Sequence, residues 1–374
     1  MAGIDRQLRV LEGMSVVEFG DDLAGAICGY HLALLGASVY LIEPDEGCWL
    51  RRARAPSGSA VPVLFDCYGR GKLSALQSRA MAGDDTPWRR IDLVIEPALG
   101  PAANGGLPAS WRAGEQDGPL LLSFREQDGR RLTELTAQAA SGLSAFLGRA
   151  GEPPFRVGYE IVTYSAAVMA VQAVLAALPF KRDQGLGQHI RVPFSRAAAN
   201  ILNNVITGSV APDQDTFFSR GWAREPAASI PAADGSVDQL FYGPQAEASW
   251  RKFCARLGLT ELAADQRFWT YGGRLDNAGE LVEALGPATR QHSREALLRL
   301  MWECGGMAVP RYRVEEAARS EQARTNAMVV GLDPAGDRVL TAAPWVVNGE
   351  RAAFLRTPEL GAGTDSLLAL RDAA

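Results

Sequence analysis

Histidine and cysteine are scarce in this sequence. Three histidines and five cysteines occur among 374 residues, and the cysteines are Cys28, Cys48, Cys67, Cys254 and Cys304. They form no CxxC pair and no cluster with the spacing of zinc or iron ligands, so we predict no metal site. Scattered, unpaired cysteines and the lack of an apolar run in the first residues are typical of a cytoplasmic protein with free thiols.

The chain also lacks an excess of positive charge. Its 38 lysines and arginines are outnumbered by 43 aspartates and glutamates, which gives a formal net charge of −5. Binding to nucleic acid needs a basic surface that displaces counterions from phosphates, so we expect no nucleic-acid partner. Any anionic ligand would have to be held by local basic residues.

A dinucleotide-binding fingerprint is missing as well. Residues 19–29 (FGDDLAGAICG) follow the first predicted strand, but their glycines do not have the GxGxxG spacing. Asp21 and Asp22 also stand where phosphates would lie. A nicotinamide cofactor is therefore not expected.

One apolar run, residues 161–180, is about as long as a membrane span. It is rich in alanine rather than leucine, it contains Thr163, Tyr164 and Gln172, and the sequence has no second run of this kind. A helix that is buried on all sides inside a large α/β core has the same apolar pattern. We therefore predict a core helix that ends at Pro179, and no membrane partner.

Strand-like and helix-like segments alternate in the first half of the chain. Residues 13–19, 23–37 and 38–44 have the pattern of a β-α-β unit. Residues 92–97 and 118–124 resemble further buried strands, bounded by glycine and proline. The sequence predicts an α/β protein with a Rossmann-like parallel sheet.

The character of the sequence changes near residue 230. A hairpin-like stretch, ADGSVDQLFYG, precedes several amphipathic helices, and strand and loop character returns after about residue 330. We predict a large Rossmann-like domain made of residues 1–200 together with residues 330–374. A smaller α+β domain is predicted for residues 225–325.

A series of short motifs runs along the whole chain. They are LEGMSVVEF (11–19), LLGASVYLIEP (34–44), GRGKLS (69–74), DLVIEP (92–97), QAASGL (138–143), FRVG (155–158), GLGQHIRV (185–192), DQRF (265–268), PWVVNG (344–349) and TPELGAGTD (357–365). Each is short, but their shared order and spacing resemble those of the type III CoA-transferases, the CaiB/BaiF or formyl-CoA transferase family.

The resemblance implies an enzyme that exchanges CoA between an acyl-CoA and a carboxylic acid. In that family an aspartate attacks the thioester carbonyl to give a mixed anhydride and free CoA, which returns to make an enzyme thioester. The anhydride keeps the acyl group at a transfer potential near that of the thioester. The resemblance also implies an interlocked dimer, CoA thioester as substrate, and no tightly bound cofactor.

The position of the nucleophilic aspartate is occupied by a threonine. The family pattern VGxxxxD, counted from Val157 and Gly158, places the aspartate at Thr163. A threonine could form only a less activated ester, and no residue near it in sequence offers a base. Glu160, one helical turn earlier, is predicted to be a solvated acid of the first turn. We therefore expect no transfer by this chain alone.

The resemblance also assigns the positions that bind CoA. They are Ala24 and Gly25 after the first strand, Arg70 and Lys72 in GRGK, and Arg131, which matches a lysine of some members. The three cations could instead be ordinary surface charges.

Several neighbours of these positions depart from the family pattern. Asp21 and Asp22 place two negative charges beside a polyphosphate ligand, which is unfavourable. Pro97 removes a backbone donor, and Thr133 stands in place of a tyrosine. Glu134 is retained and is the second candidate catalytic residue, after Thr163.

Three hypotheses follow. The chain is the non-catalytic member of a hetero-oligomer with an aspartate-bearing relative, or a homodimeric pseudoenzyme that binds an acyl-CoA or an acid, or an enzyme with altered acyl-CoA chemistry. Racemase chemistry is the least favoured, because His31, His189 and His292 lie outside the segment that matches the racemase histidine and the aspartate is absent.

Overall fold

The computed structural model describes most of the chain. The described residues are 9–53, 63–82, 90–96, 114, 116–146, 153–203, 205–206, 229–240, 245–331, 339–347, 349–351 and 355–372. They fall into two compact units. The larger unit lies within Met1–Leu147, Pro154–Val210 and Arg324–Ala374, and the smaller lies mainly within Ala211–Ala323.

Strands and helices alternate through the first 201 residues. In chain order they are β1 (Ser15–Phe19), α1 (Leu23–Leu34), β2 (Ser38–Glu43), α2 (Trp49–Arg52), α3 (Val63–Tyr68), β3 (Lys72–Leu76), α4 (Gln77–Ala80), β4 (Leu93–Ile95), β5 (Leu120–Ser123), α5 (Glu134–Ala140), α6 (Leu143–Phe146), α7 (Ile161–Gln184), β6 (His189–Arg191) and α8 (Phe194–Ile201).

The remaining elements include the smaller unit and the end of the larger one. They are β7 (Ile230–Ala232), β8 (Gly235–Leu240), α9 (Ala246–Arg256), α10 (Thr260–Ala264), a 3₁₀ turn (Gln266–Phe268), α11 (Tyr271–Asp276), α12 (Ala278–Thr289), α13 (Arg294–Glu303), β9 (Met307–Pro310), α14 (Val314–Arg319), α15 (Glu321–Thr325), β10 (Val329–Gly331), β11 (Val339–Thr341), β12 (Val346–Val347), β13 (Glu350–Arg351) and α16 (Thr364–Asp372).

A six-stranded parallel sheet forms the centre of the larger unit, with the strand order β3-β2-β1-β4-β5-β6. Helices cover both faces, so the strands are apolar on both sides. Val16 faces a core that it shares with α1 and α7, whereas Val17 faces a second core that includes Leu367 of α16. The predicted α/β class with a parallel sheet is confirmed.

The long helix α7 does not end where the sequence predicted. It has 24 residues and passes through Pro179 to Gln184. Pro179 is exposed, so water can hydrogen-bond the carbonyl that the proline leaves without a donor. The helix ends at Gly185, which has the left-handed φ of +69° and whose N–H donates to Lys181 O.

The same helix is the one element of the described residues that is long and apolar enough to span a bilayer. Its buried residues, among them Val162, Ala166, Ala170 and Val174, belong to the core shared with α1 and α8. One face of the helix therefore packs in the core, but only 44% of its apolar window is buried, so the helix is not buried on all sides as predicted.

The smaller unit has an antiparallel sheet with the order β7-β8-β9. Its first two strands form a hairpin that turns through Gly235 at a φ of +146°. The predicted stretch, residues 233–243, contains the turn and β8, but β7 precedes it. Helices α9, α12 and α13 contribute a separate core around the fully buried Trp250 and Phe253. The unit is therefore of the α+β type.

Candidate active site

Part of the predicted site follows the carboxyl ends of β1 and β4, whereas Arg70 and Lys72 stand at the amino end of β3. The strand order reverses between these neighbours, because β1 continues to β2 on one side while β4 continues to β5 on the other. Ligands of open α/β sheets bind at such a switch point. Gly20 to Asp22 follow β1 there, and Glu96 follows β4. Pro97 lies outside the described residues.

The first turn of α1 contains the predicted CoA-binding residues Ala24 and Gly25, which are both buried. A Cβ atom on Gly25 would lie 3.2 Å from Ile95 Cγ2, so the helix packs tightly on β4. Asp22 caps this helix, and its carboxylate accepts a hydrogen bond from Ala24 N at 3.2 Å. A backbone donor that a phosphate could use is therefore already occupied.

Arg131 pairs with the same carboxylate. Its guanidinium donates to Asp22 Oδ1 at the amino end of α1, and 31% of the Arg131 side chain is exposed. Burial raises the pKa of Asp22, against the opposing pull of Arg131 and of two backbone amides. Thr133, which follows, caps α5 through its own hydroxyl. The cation that the resemblance assigns to CoA is thus neutralised within the chain.

Lys72 is a buried structural cation. Its Nζ lies 2.7 Å from both carboxylate oxygens of Glu18 and 2.9 Å from Ala26 O, and both charged side chains are completely buried. Desolvation raises the pKa of Glu18 to about 7, although Lys72 opposes that shift. Gly29 makes room for the pair, because a Cβ there would lie 1.8 Å from Glu18 Oε2.

Arg70 is buried as well. It donates to Tyr30 Oη at 2.8 Å and to Thr341 O at 3.3 Å, and its guanidinium carbon lies 4.9 Å from the centre of the Tyr30 ring. Arg70, Lys72 and Arg131 were predicted to be either phosphate contacts or surface charges. Arg70 and Lys72 are neither exposed nor open to a ligand, because groups of the larger unit surround them.

Thr163 and Glu134 meet at the amino end of α7. Glu134 Oε2 accepts hydrogen bonds from Thr163 Oγ1 and from Thr163 N, both at 2.8 Å. Glu134 Oε1 accepts from Val162 N at 3.1 Å and from Gln138 Nε2 at 2.6 Å. Glu160, the residue before the helix, makes no capping bond and pairs with Arg156 at 2.9 Å, as expected of a solvated acid. Glu134, the first residue of α5, therefore caps the amino end of α7.

This geometry supplies the base that the sequence near Thr163 lacks. Glu134 stands 29 residues earlier in the chain and reaches the hydroxyl only through the fold. Its four donors, however, occupy both of its oxygens, so the carboxylate is committed to the end of α7 and is a poor nucleophile. Thr163 is 4% exposed and Glu134 is 7% exposed, so neither is presented to a substrate.

The sequence did not single out the aromatic groups beside this pair. Tyr164 Oη lies 3.3 Å from His31 Nε2, and the ring of Trp345 lies 5.7 Å from that of His31. Burial lowers the pKa of His31 to about 4, so its imidazole is neutral at pH 7. His31 thus contacts Tyr164, the residue after Thr163, although it is outside the motif in sequence. In the sequence, the polar aromatic Tyr164 next to Thr163 was the feature that could have indicated these aromatic neighbours.

Comparisons with known proteins bear on the family of the chain. The family model described as CoA-transferase family III matches residues 11–77 and 125–364. The chain belongs to that family.

Individual relatives support the assignment. The succinyl-CoA:D-citramalate CoA-transferase of Chloroflexus aurantiacus is 26% identical over 359 residues, covering 88% of this chain and 85% of the relative. The alpha subunit of a succinyl-CoA:L-malate CoA-transferase of the same species is 29% identical over 219 residues, 54% of this chain and 51% of the relative. A CaiB/BaiF family protein from Brucella suis has the same fold, with a TM-score of 0.79 and 22% identity over 98% of this chain and all of that one.

Among the described residues no group of three or more histidine, cysteine, aspartate or glutamate side chains is arranged to hold a metal ion. CoA-transferases act on CoA thioesters, and the charges around Asp22 lie at the positions that the resemblance assigns to CoA.

Replacing Asp22 with asparagine should increase the affinity for CoA at least tenfold, because the change removes a negative charge beside the phosphates and releases Arg131. Asparagine caps helices as well as aspartate does, so α1 should stay intact. Calorimetric titration of CoA into both proteins measures the difference.

Asp265→Asn is the matched control. Asp265 also caps a helical turn and pairs with an arginine, Arg267, but it belongs to the smaller unit. Its substitution should leave CoA affinity unchanged. Equal affinities of the Asp22→Asn protein and the unaltered protein would show that the Asp22–Arg131 pair does not limit CoA binding.

Proposed function

We propose that this chain is a non-catalytic subunit of a type III CoA-transferase. The assembly moves CoA between an acyl-CoA and a carboxylic acid, and an aspartate-bearing relative supplies the nucleophile. The chain itself is expected to bind CoA weakly and to contribute structure to a dimeric assembly, homo- or hetero-oligomeric.

The hydrogen bond between Thr163 and Glu134 carries this proposal. A transferase of this family needs a carboxylate that is free to attack a thioester. Here the nucleophile position is a hydroxyl donor, and the nearby carboxylate is committed to four donors at the end of α7. An anion held in this way has little tendency to form an anhydride.

The charges at the predicted CoA positions support the same conclusion. Lys72 is buried against Glu18, Arg70 is bonded to Tyr30, and Arg131 is paired with Asp22. A bound phosphate would have to displace one of these partners, which costs part of the binding free energy. The substitutions at the nucleophile and at the phosphate positions therefore act in the same direction.

A relative that is an alpha subunit gives a precedent for unequal subunits in this family. Co-expression with an aspartate-bearing family member should give a one-to-one assembly that transfers CoA from succinyl-CoA to a carboxylic acid. Alanine in place of the relative's aspartate should lower the transfer rate by about 10³-fold or more, since it removes the covalent route. Thr163→Ala in this chain should leave the rate within about twofold.

Size-exclusion chromatography with light scattering separates the possible outcomes. An active pair that loses activity only when the relative is changed supports the proposal. If this chain associates with none of the aspartate-bearing family members tested, the role of non-catalytic subunit must be abandoned.

A homodimeric pseudoenzyme that binds an acyl-CoA or an acid is the second candidate. The observation that favours it is that Thr163, Glu134 and the three cations are all satisfied by groups of this chain. A stable dimer of this chain that binds a ligand without turnover would favour this reading. Altered chemistry with His31 as a base is disfavoured, because its Nε2 already lies beside Tyr164 Oη.

A further inference from the structure

A polar pocket lies beyond the carboxyl ends of β5 and β6. Its volume is about 370 Å³, and its lining includes Glu126, His189, Arg191, Ser195 and Arg196. None of these residues belongs to the predicted CoA site, so the pocket is a separate feature of the larger unit.

Two arginines of the pocket are open to a ligand. Arg191 is the last residue of β6 and Arg196 lies in the first turn of α8, and both are exposed. Within the part of the chain that the structure describes, neither guanidinium makes a hydrogen bond or an ion pair. The strand pairing of Arg191 with Ser123 and the start of α8 fix the backbone of both residues. The pocket thus presents two positioned cations in a protein whose formal net charge is −5.

The acids around the pocket are engaged with other groups. Glu126 caps α8, because its carboxylate accepts from Ser195 N at 3.1 Å and from the Ser195 hydroxyl. Glu96 is only 9% exposed, and His189 Nε2 lies 3.7 Å from its Oε2. Burial raises the pKa of Glu96, while His189, Arg125 and Arg191 oppose that shift.

His189 adds a polar group at the wall of the pocket. Its Nε2 also lies 3.1 Å from Ser123 Oγ. The serine and the glutamate both approach the same ring nitrogen, so the three residues do not form a catalytic triad, which uses both nitrogens. The arrangement fits binding rather than nucleophilic catalysis.

We propose that this pocket binds a small organic anion whose carboxylate or phosphate oxygens accept hydrogen bonds from Arg191 and Arg196. The planar guanidinium fork matches both oxyanions and gives charge-assisted bonds. A volume of about 370 Å³ suits a small metabolite. The inference does not depend on the function proposed above, because it uses none of the same residues.

Binding can be measured by calorimetry and by NMR titration of the full chain with succinate and with inorganic phosphate, which distinguish the two oxyanions. Succinamide is the neutral control. At least one anion should bind, succinamide should not, and Arg191→Gln or Arg196→Gln should weaken binding about tenfold or more. Arg191→Lys keeps the charge but not the fork and should give an intermediate loss.

Arg182→Gln is the matched control for charge. Arg182 is an exposed arginine in the last turn of α7. The preceding Lys181 contacts Asp92 before β4, so this turn lies toward the amino ends of the strands, whereas Arg191 is at the carboxyl end of β6. Its substitution should not change anion binding. The proposal is overturned if neither anion binds at millimolar concentration, if succinamide binds equally well, or if all three glutamine variants weaken binding alike. Circular dichroism confirms that each variant is folded.

Discussion

Replacing Lys72 with methionine should lower the free energy of unfolding by about 3–5 kcal/mol at pH 8, because it leaves Glu18 buried without its partner. Methionine fills a similar volume, so the loss reports the charge rather than a cavity. Lys72 is part of the motif that the family resemblance assigns to CoA, and this result would show that it acts as a structural group here. Urea denaturation measures the change.

The defect of Lys72→Met should shrink as the pH falls. The pKa of Glu18 is raised to about 7 even with Lys72 present, and it rises further when that cation is removed. A carboxyl group with a raised pKa in the folded state binds its proton there more readily than in the unfolded chain, so folding gains relative stability toward low pH. The loss should therefore be smaller at pH 5 than at pH 8.

Two further variants control this experiment. Adding Glu18→Gln to Lys72→Met should restore much of the stability, because no buried charge remains. Arg79→Met breaks an exposed ion pair with Asp365 and should cost less than about 1 kcal/mol. A loss from Lys72→Met as small as that from Arg79→Met would contradict the structural role of Lys72.

Restoring the family's carboxylate by Thr163→Asp should not produce an active enzyme. The new carboxylate would face Glu134, whose Oε2 is 2.8 Å from the present hydroxyl, and it would replace a hydrogen-bond donor with a second anion. We expect a loss of about 1–3 kcal/mol in unfolding free energy at pH 8 and transfer no faster than that of the unaltered chain. The loss should diminish as the pH falls, because protonation of the new carboxyl removes the repulsion.

Thr163→Asn and the double variant Thr163→Asp/Glu134→Gln isolate the cause. Asparagine has the shape of aspartate and can still donate to Glu134, so it should be better tolerated. Glutamine at position 134 removes the repulsion and should recover stability in the double variant. An active homodimer of the Thr163→Asp protein would mean that the CoA-binding groups are intact and that the loss was confined to one residue.

The sequence predicted the parallel sheet because strands buried on both faces have a strong apolar pattern. The end of α7 was missed, since a proline on an exposed helical face disrupts little, and Pro179 is such a residue. We predicted that the helix ends at Pro179, but it ends at Gly185, which has a left-handed backbone conformation.

The site was predicted only in part, for a different physical reason. Motif order located Thr163 and Glu134, but the hydrogen bond between them joins residues 29 positions apart. In the same way, nothing local indicates that Lys72 is paired with Glu18 across 54 positions or Arg131 with Asp22 across 109. Sequence identifies the charged residues of a site, whereas the fold decides which of them neutralise one another.

The most direct test of the account is covalent trapping on the purified chain. After incubation with succinyl-CoA, borohydride reduces an enzyme thioester or anhydride of a carboxylate, and the product changes the intact mass of the protein. We predict no mass change and no CoA transfer to an added carboxylic acid, whereas an aspartate-bearing relative treated in parallel should be modified. A reduced acidic residue in this chain, at Glu134 or elsewhere, would contradict the claim that it contributes no nucleophile.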